Sequence, residues 1–421
     1  MSLGTSLAIA LGLLIAACGP APTASPSAGP SQPATAPPDA DAIYRTIATQ
    51  VSAIRQLDAP DRVEPVVIDG PTLVANIAKE FETSNPPAEI AKSERLMKVM
   101  GLLPSDASLA QIYLALQGSQ VIGYYDPTVK ELFIVSRDGA LGAIEEVTYA
   151  HEFTHELQDK HFDLGSLGLD TIKDDSDRVL AILSLVEGDA VSAQSAWMVA
   201  NLTPVQLGEV AAEAADPAML AVLARTPRIL LETSLFPYQA GATFVGQLQA
   251  EGGYASVNAA YKDPPTTTEQ ILHRGGSAAA LVPVRLAIPA DLATQFGAGW
   301  TATAQDTFGE LQTRVWLREG GVAGDVARTA AEGWGGDRLV LMDGPGGATA
   351  AVWTTAWDSA EDAQAFESAA RASVTGLHLD AILTRSGSRV ATVIRSSVGP
   401  DDATVQTILL RLVLGPGVII D

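Results

Sequence analysis

His151-Glu152-Phe153-Thr154-His155 is the most informative stretch of this 421-residue chain. It sits inside Ile144 to Lys160, whose pattern predicts a helix. At about 100° per residue, His151 and His155 differ by about 40° around the axis, so both imidazoles share one face. Two neutral imidazoles one turn apart suit a tetrahedral Zn²⁺. Glu152 lies about 100° away from His151, which places a carboxylate beside the metal as a general base. With five histidines in the chain, chance would produce this pattern in roughly 0.003 such sequences. The alternative is a pair of solvent-exposed histidines on an amphipathic helix.

A third protein ligand is required, and two residues compete. His161 fits a metzincin-like spacing, but the glycine that breaks the helix there is replaced by Gln158, a good helix former. If the helix continues, His161 lies about 9 Å further along and about 120° around from His155, out of reach. Glu187 lies 32 residues beyond His155, in Leu185-Val186-Glu187-Gly188-Asp189-Ala190, on a helix expected over Asp177 to Asn201. A glutamate on an apolar stretch is costly to bury unless paired or bound to metal. Gly188 would allow close helix–helix approach, and Asp189 would point away as a salt-bridge or capping residue. Glu187 is the preferred ligand. Tyr238, Tyr261 and His273 are candidates to stabilise an oxyanion, with none favoured. Leu132 to Ser136 is a candidate edge strand for an extended substrate, or an ordinary core strand. The acidic run Asp170 to Asp177 reads as a solvated loop with a helix N-cap at Asp175 or Ser176 rather than as a Ca²⁺ site.

The flanking sequence supplies a setting. Leu7 to Ala17 is an apolar run of 11 residues ending at Cys18, the only cysteine. It is too short to span a bilayer and resembles a lipoprotein signal peptide over 1–17, with Cys18 as the lipidated residue. The n-region carries no Lys or Arg, a departure from that pattern. Residues 18–40 then form a Pro/Ala/Ser/Thr-rich tether. One cysteine excludes an intrachain disulfide and Cys-rich metal sites. With 26 Lys+Arg against 49 Asp+Glu, the net charge is −23, and no basic cluster is available for phosphate contacts, so nucleic acid is excluded as a partner. Hydrophobic residues at 47% suffice for a large core.

The expected fold is α+β. A mainly helical zincin-like domain with a small sheet covers 41–295, and a small C-terminal α+β domain covers 296–421. Helices are expected over Ala42–Leu57, Leu73–Phe81, Ala88–Met100, 206–225 and 239–251, and strands over 121–125 and 131–135. In the C-terminal part, Arg338–Met342, Thr349–Ala356 and Arg389–Ser396 read as strands, and Ser359–Ser373 and Asp402–Leu414 as helices. Trp334, Trp353 and Trp357 fit core packing better than an exposed binding surface.

Several segments together resemble a family of bacterial and archaeal surface lipoproteins with zinc-peptidase domains. They are Gly123-Tyr124-Tyr125-Asp126-Pro127, the stretch His151 to Leu164, Leu185 to Ala190 and Pro264 to His273. Gly333 to Arg338 and Thr355 to Asp358 add to the likeness. The resemblance implies a gluzincin-like ligand set of His151, His155 and Glu187 with Glu152 as general base. It implies no particular substrate. The expectation is a zinc metallopeptidase acting on protein or peptide, held by a lipid on Cys18 at the outer face of the cell membrane. The rival is a cell-surface binding or assembly lipoprotein that keeps a zincin fold without turnover.

Overall fold

The computed structural model describes residues 40–120, 122–135, 141–274, 283–396 and 399–415. The signal-peptide reading, Cys18 and the tether up to residue 39 lie outside the described residues.

The chain is α+β, with sixteen α-helices and two small sheets among the described residues. Helix α1 (Ala40–Arg55) buries Tyr44, Ile47, Ala48 and Val51 at helical spacing, and Arg55 continues the same stripe. Strand β1 (Val66–Ile68) leads to α2 (Gly70–Ser84), which starts where the Asp69 side chain accepts from the Thr72 N–H. Helices α3 (Pro87–Val99) and α4 (Leu109–Gln120) follow, then the hairpin of β2 (Gly123–Asp126) and β3 (Glu131–Val135). Asp126 Oδ1 takes the Thr128 N–H inside that turn.

The first sheet has the order β1-β3-β2, with β1 parallel and β2 antiparallel to β3. This corrects the edge-strand expectation. Leu132 to Val135 is the centre of the sheet, because the three-residue β1 pairs on its far side, and Ser136 lies outside the described residues. The strand with only one neighbour on the other side is β2. Pairing alternates along it: Ile122 O takes the Val135 N–H and Asp126 O the Lys130 N–H. The Tyr125 N–H therefore points away from β3.

Helix α5 (Ala143–Phe162) crosses this sheet and packs on α6 (Ser176–Asn201), whose N-cap is Asp175. The expected helix over 206–225 is two helices, α7 (Pro204–Ala214) and α8 (Pro217–Arg225), because Asp216-Pro217 caps and starts a new one. The helix expected over 239–251 is longer: α9 (Arg228–Gly252) carries Pro237 within it. A Cβ on Gly188 of α6 would fall 2.2 Å from the Gly241 carbonyl of α9, and one on Gly241 2.2 Å from Ser184 O. The two helices touch backbone to backbone, as the position of Gly188 suggested. α6 is long and apolar enough to cross a membrane, yet 78% of its apolar window is buried inside the protein.

After α10 (Tyr254–Ala260), α11 (Thr268–Leu272) and α12 (Leu292–Phe296) comes an antiparallel sheet of order β4-β5-β6-β8-β7. Its strands are β4 (Thr301–Asp306), β5 (Trp334–Asp343), β6 (Thr349–Trp357), β7 (Asp380–Ser386) and β8 (Arg389–Arg395). β4 and β7 escaped the sequence reading. Val340, Val352 and Val393 face one side with α16 (Asp402–Leu414), while Leu339, Trp353 and Ile394 face the other. Helices α13 (Gly309–Glu319), α14 (Gly324–Ala331) and α15 (Ala360–Gly376) cover that second face. Trp334, Trp353 and Trp357 are buried there. Asp337 takes the indole N–H of Trp334 and of Trp353 and the backbone N–H of Phe308 and Gly309, which leaves its charge fully partnered.

One apolar cluster runs from Leu96 through Leu185 and Trp316 to Ile394, so the core continues across residue 295. Polar contacts reinforce it: the Ser176 N–H and hydroxyl donate to Asp306, and Trp316 Nε1 donates to Met100 O. Gly188→Ala or Gly241→Ala should cost about 3 kcal/mol or more, because neither backbone can retreat without opening the core. A thermal melt within a degree of the wild type would show that the crossing is looser than described.

Candidate metal centre

Helix α5 supplies His151 and His155, one turn apart, and the crossing with α6 brings Glu187 opposite them. The two Nε2 atoms are 3.2 Å apart. Glu187 Oε2 is 3.3 Å from His151 Nε2 and 3.4 Å from His155 Nε2. These form a nearly equilateral triangle. Ligands at about 2.05 Å from Zn²⁺ in a regular tetrahedron are about 3.3 Å apart, so the three atoms match three of its corners. Among the described residues this is the one group of three His, Cys, Asp or Glu side chains close enough to share a metal ion. Glu187 Oε2 is also buried without a hydrogen-bond partner among the described residues, a need that a cation would satisfy.

The electrostatics fit the same purpose. Burial works against charge on Glu187, but His155 and His151 beside it hold its carboxyl down at about 2. Burial likewise opposes a charged His155, yet the Glu187 carboxylate lifts the ring to about 9. Without metal, a protonated His155 would balance the Glu187 carboxylate. Glu152 follows His151 on α5. Burial raises it to about 7, against the pull of both histidines. Its Oε2 takes the Tyr125 N–H of β2 at 3.0 Å, and its Oε1 has no hydrogen-bond partner among the described residues.

A polar layer lies behind the ligands. His155 Nδ1 meets Gln158 Oε1 at 2.8 Å. Gln158 Nε2 donates to Val186 O at 3.0 Å and to Asp189 Oδ2 at 3.1 Å. That oxygen also takes the Tyr261 hydroxyl at 2.9 Å and Arg55 Nε at 3.0 Å. Arg55 is fully buried, with its guanidinium 4.7 Å from the centre of the Tyr254 ring.

The structure separates the remaining candidates. His161 does not join the metal group: its Nε2 is 2.9 Å from the Asp58 carbonyl, since α5 runs on to Phe162 and turns the ring away. Tyr261 is committed to Asp189, behind the ligands. His273 pairs with Glu310 at 2.8 Å, against the C-terminal sheet's helices. Tyr238 packs beside His151, ring centres 6.2 Å apart. Asp189 is a salt-bridge residue, as its direction on the helix suggested.

Arg55 and Gln158 escaped the sequence reading. The signal for Arg55 was a charge continuing the buried stripe of α1 four residues after Val51. A cavity of about 1080 Å³ lies along β2, walled by residues that include Phe81, Leu96, Tyr113, Tyr124 and Tyr125. None of the three candidate ligands lines it.

Residues 295–407 match a family described as a domain of unknown function, DUF8575. That segment contains none of His151, Glu152, His155 and Glu187. No curated protein and no solved structure matches the chain.

Equilibrium dialysis should find one zinc per chain, lost in His151→Ala, His155→Ala and Glu187→Ala and retained in His161→Ala. The metal needs His155 neutral, whereas its raised pKa keeps the ring protonated below about pH 9. Zinc affinity should therefore climb with pH, by about tenfold per unit between pH 6 and 8. A flat profile would show that no proton is displaced from the pair.

Proposed function

We propose that the protein is a lipid-anchored, extracytoplasmic zinc metallopeptidase. The observation that carries this is the triangle of His151, His155 and Glu187 with Glu152 adjoining it. His₂Glu is a donor set used for catalytic zinc, leaving a coordination position for water or substrate. A bound Zn²⁺ would supply positive charge that polarises a carbonyl and acidifies water.

The chain's own residues supply the proton handling. Glu152 Oε1, with no partner, accepts a proton from the attacking water. The hydroxyl oxygen bonds to the scissile carbonyl carbon. The C–N bond then breaks, and Glu152 returns the proton to the leaving amine. The Tyr125 N–H holds the other carboxylate oxygen and so fixes the carboxyl against β2. The cavity along that strand offers a wall on which a polypeptide could lie, and its aromatic lining suits apolar side chains. Of the three residues considered for the oxyanion, Tyr238 packs against a ligand and is the best placed.

The anchor rests on the run Leu7–Ala17, Cys18 and the tether. The acidic balance supports a protein or peptide substrate over nucleic acid.

A second reading is a zincin fold that keeps its metal without turnover. One observation favours it: His151, Glu152, His155 and Glu187 are all at most 3% exposed. Incubating the zinc-loaded protein and its Glu152→Gln variant with a diverse peptide library separates the two. Wild-type cleavage at new termini, lost at least 100-fold in Glu152→Gln while zinc is kept, is the expected result. Equal cleavage by both would sink the role of Glu152. No cleavage by either, with zinc bound, would favour the second reading.

A further inference from the structure

We infer that Arg55, Asp189 and Gln158 form a positioning relay that sets which nitrogen of His155 faces the metal. The inference rests on the metal site proposed above, but not on hydrolysis.

The argument is one of donors and acceptors. Val186 O can only accept, and Asp189 Oδ2 already accepts from Arg55 Nε and the Tyr261 hydroxyl. Both lie within hydrogen-bond distance of the same end of the Gln158 amide. That end must therefore be the NH₂ group, and the carbonyl oxygen must face His155 Nδ1. An amide oxygen cannot donate, so Nδ1 carries the hydrogen. In the neutral ring this leaves Nε2 bare, and Nε2 is the atom 3.2–3.4 Å from the other two ligand atoms. The orientation of Gln158 thus selects the tautomer that can bind a cation.

Asp189 is fully buried and supports that orientation as an acceptor. Arg55 Nε, 2.8 Å from its Oδ1, supplies the compensating charge. The Tyr261 hydroxyl donates to the same carboxylate. Arg55 lies 134 residues before Asp189 in the chain, so the first described helix reaches through two side chains to a metal ligand. His151 has no equivalent support: its Nδ1 is buried without a hydrogen-bond partner among the described residues. The relay is one-sided, and it makes His155 the ligand whose geometry is set in advance of metal.

The test is zinc affinity of the full chain by chelator competition, with the Co²⁺ absorption spectrum and the metal-free melting temperature alongside. Gln158→Met keeps volume but cannot accept from Nδ1, and should weaken zinc by about 10- to 100-fold. A folded Gln158→Met protein that binds zinc as tightly as the wild type overturns the relay.

Should that variant not fold, the zinc-loaded wild type decides, with its five histidines labelled with ¹⁵N. A slowly exchanging, downfield Nδ1–H on His155 is expected. A rapidly exchanging Nδ1–H, or metal bound through Nδ1, overturns the relay. A wild type that binds no zinc would remove the site itself, whereas absence of peptide cleavage would leave these affinities readable.

Discussion

A carboxylate sealed away from water has to be balanced by something positive, and Glu187 is such a carboxylate. It stands on α6, within a stretch rich in Leu, Val, Ile and Ala, where its desolvation would cost several kcal/mol if left alone. The architecture answers that constraint. α5 turns His151 and His155 toward it, and α6 presses backbone to backbone against α9 through Gly188 and Gly241. The first sheet then backs α5 and lends the Tyr125 N–H to Glu152. A proton can hold the three ligands together, but it satisfies one bond at a time. A divalent cation satisfies all three.

The same demand recurs one layer out. Asp189 is as deeply buried as Glu187 and sits two residues later, on another face of α6. Its balance comes from Arg55 rather than from imidazole. Two buried carboxylates on one helix are thus partnered differently, one by imidazoles and one by a guanidinium. Their counter-charges come from different helices, α5 and α1, which ties both helices to α6. At the other end of α6, Asp177 takes the Thr268 N–H and hydroxyl and Ser176 binds Asp306. The helix that carries Glu187 is thereby joined at its start to the C-terminal unit.

How much of this could be read in advance follows from the range of each signal. His151, Glu152 and His155 are local to one helical turn, and geometry alone puts them together. Glu187 was legible because a charge on an apolar helix is conspicuous. The split between α7 and α8 was visible in principle in Asp216-Pro217, but alanine-rich flanks hid it. β1 has three residues, too few for any alternation to register, and without it β3 looked like an edge. Arg55 left only a faint trace, a charge in line with the apolar stripe of α1, and Gln158 left none. Arginine at the end of a helix and glutamine within one are ordinary on any surface, and long-range packing turns them inward. The core shared across residue 295 was also invisible, since the Gly-rich stretches nearby mimic a linker.

The span of the Arg55–Asp189–Tyr261 contacts has a consequence for how the chain comes to be built. α1 is made early, yet its buried guanidinium has no partner until more than a hundred further residues have emerged, and Tyr261 follows later still. Until then α1 is an amphipathic helix with a charge in its apolar stripe and nowhere to bury it. A chain assembled from its N-terminus must therefore keep α1 waiting, and the closing of the centre belongs to the late, non-local stage of folding rather than to its first collapse. A chain cut short before residue 261 would carry every candidate ligand and still lack the finished support beneath them.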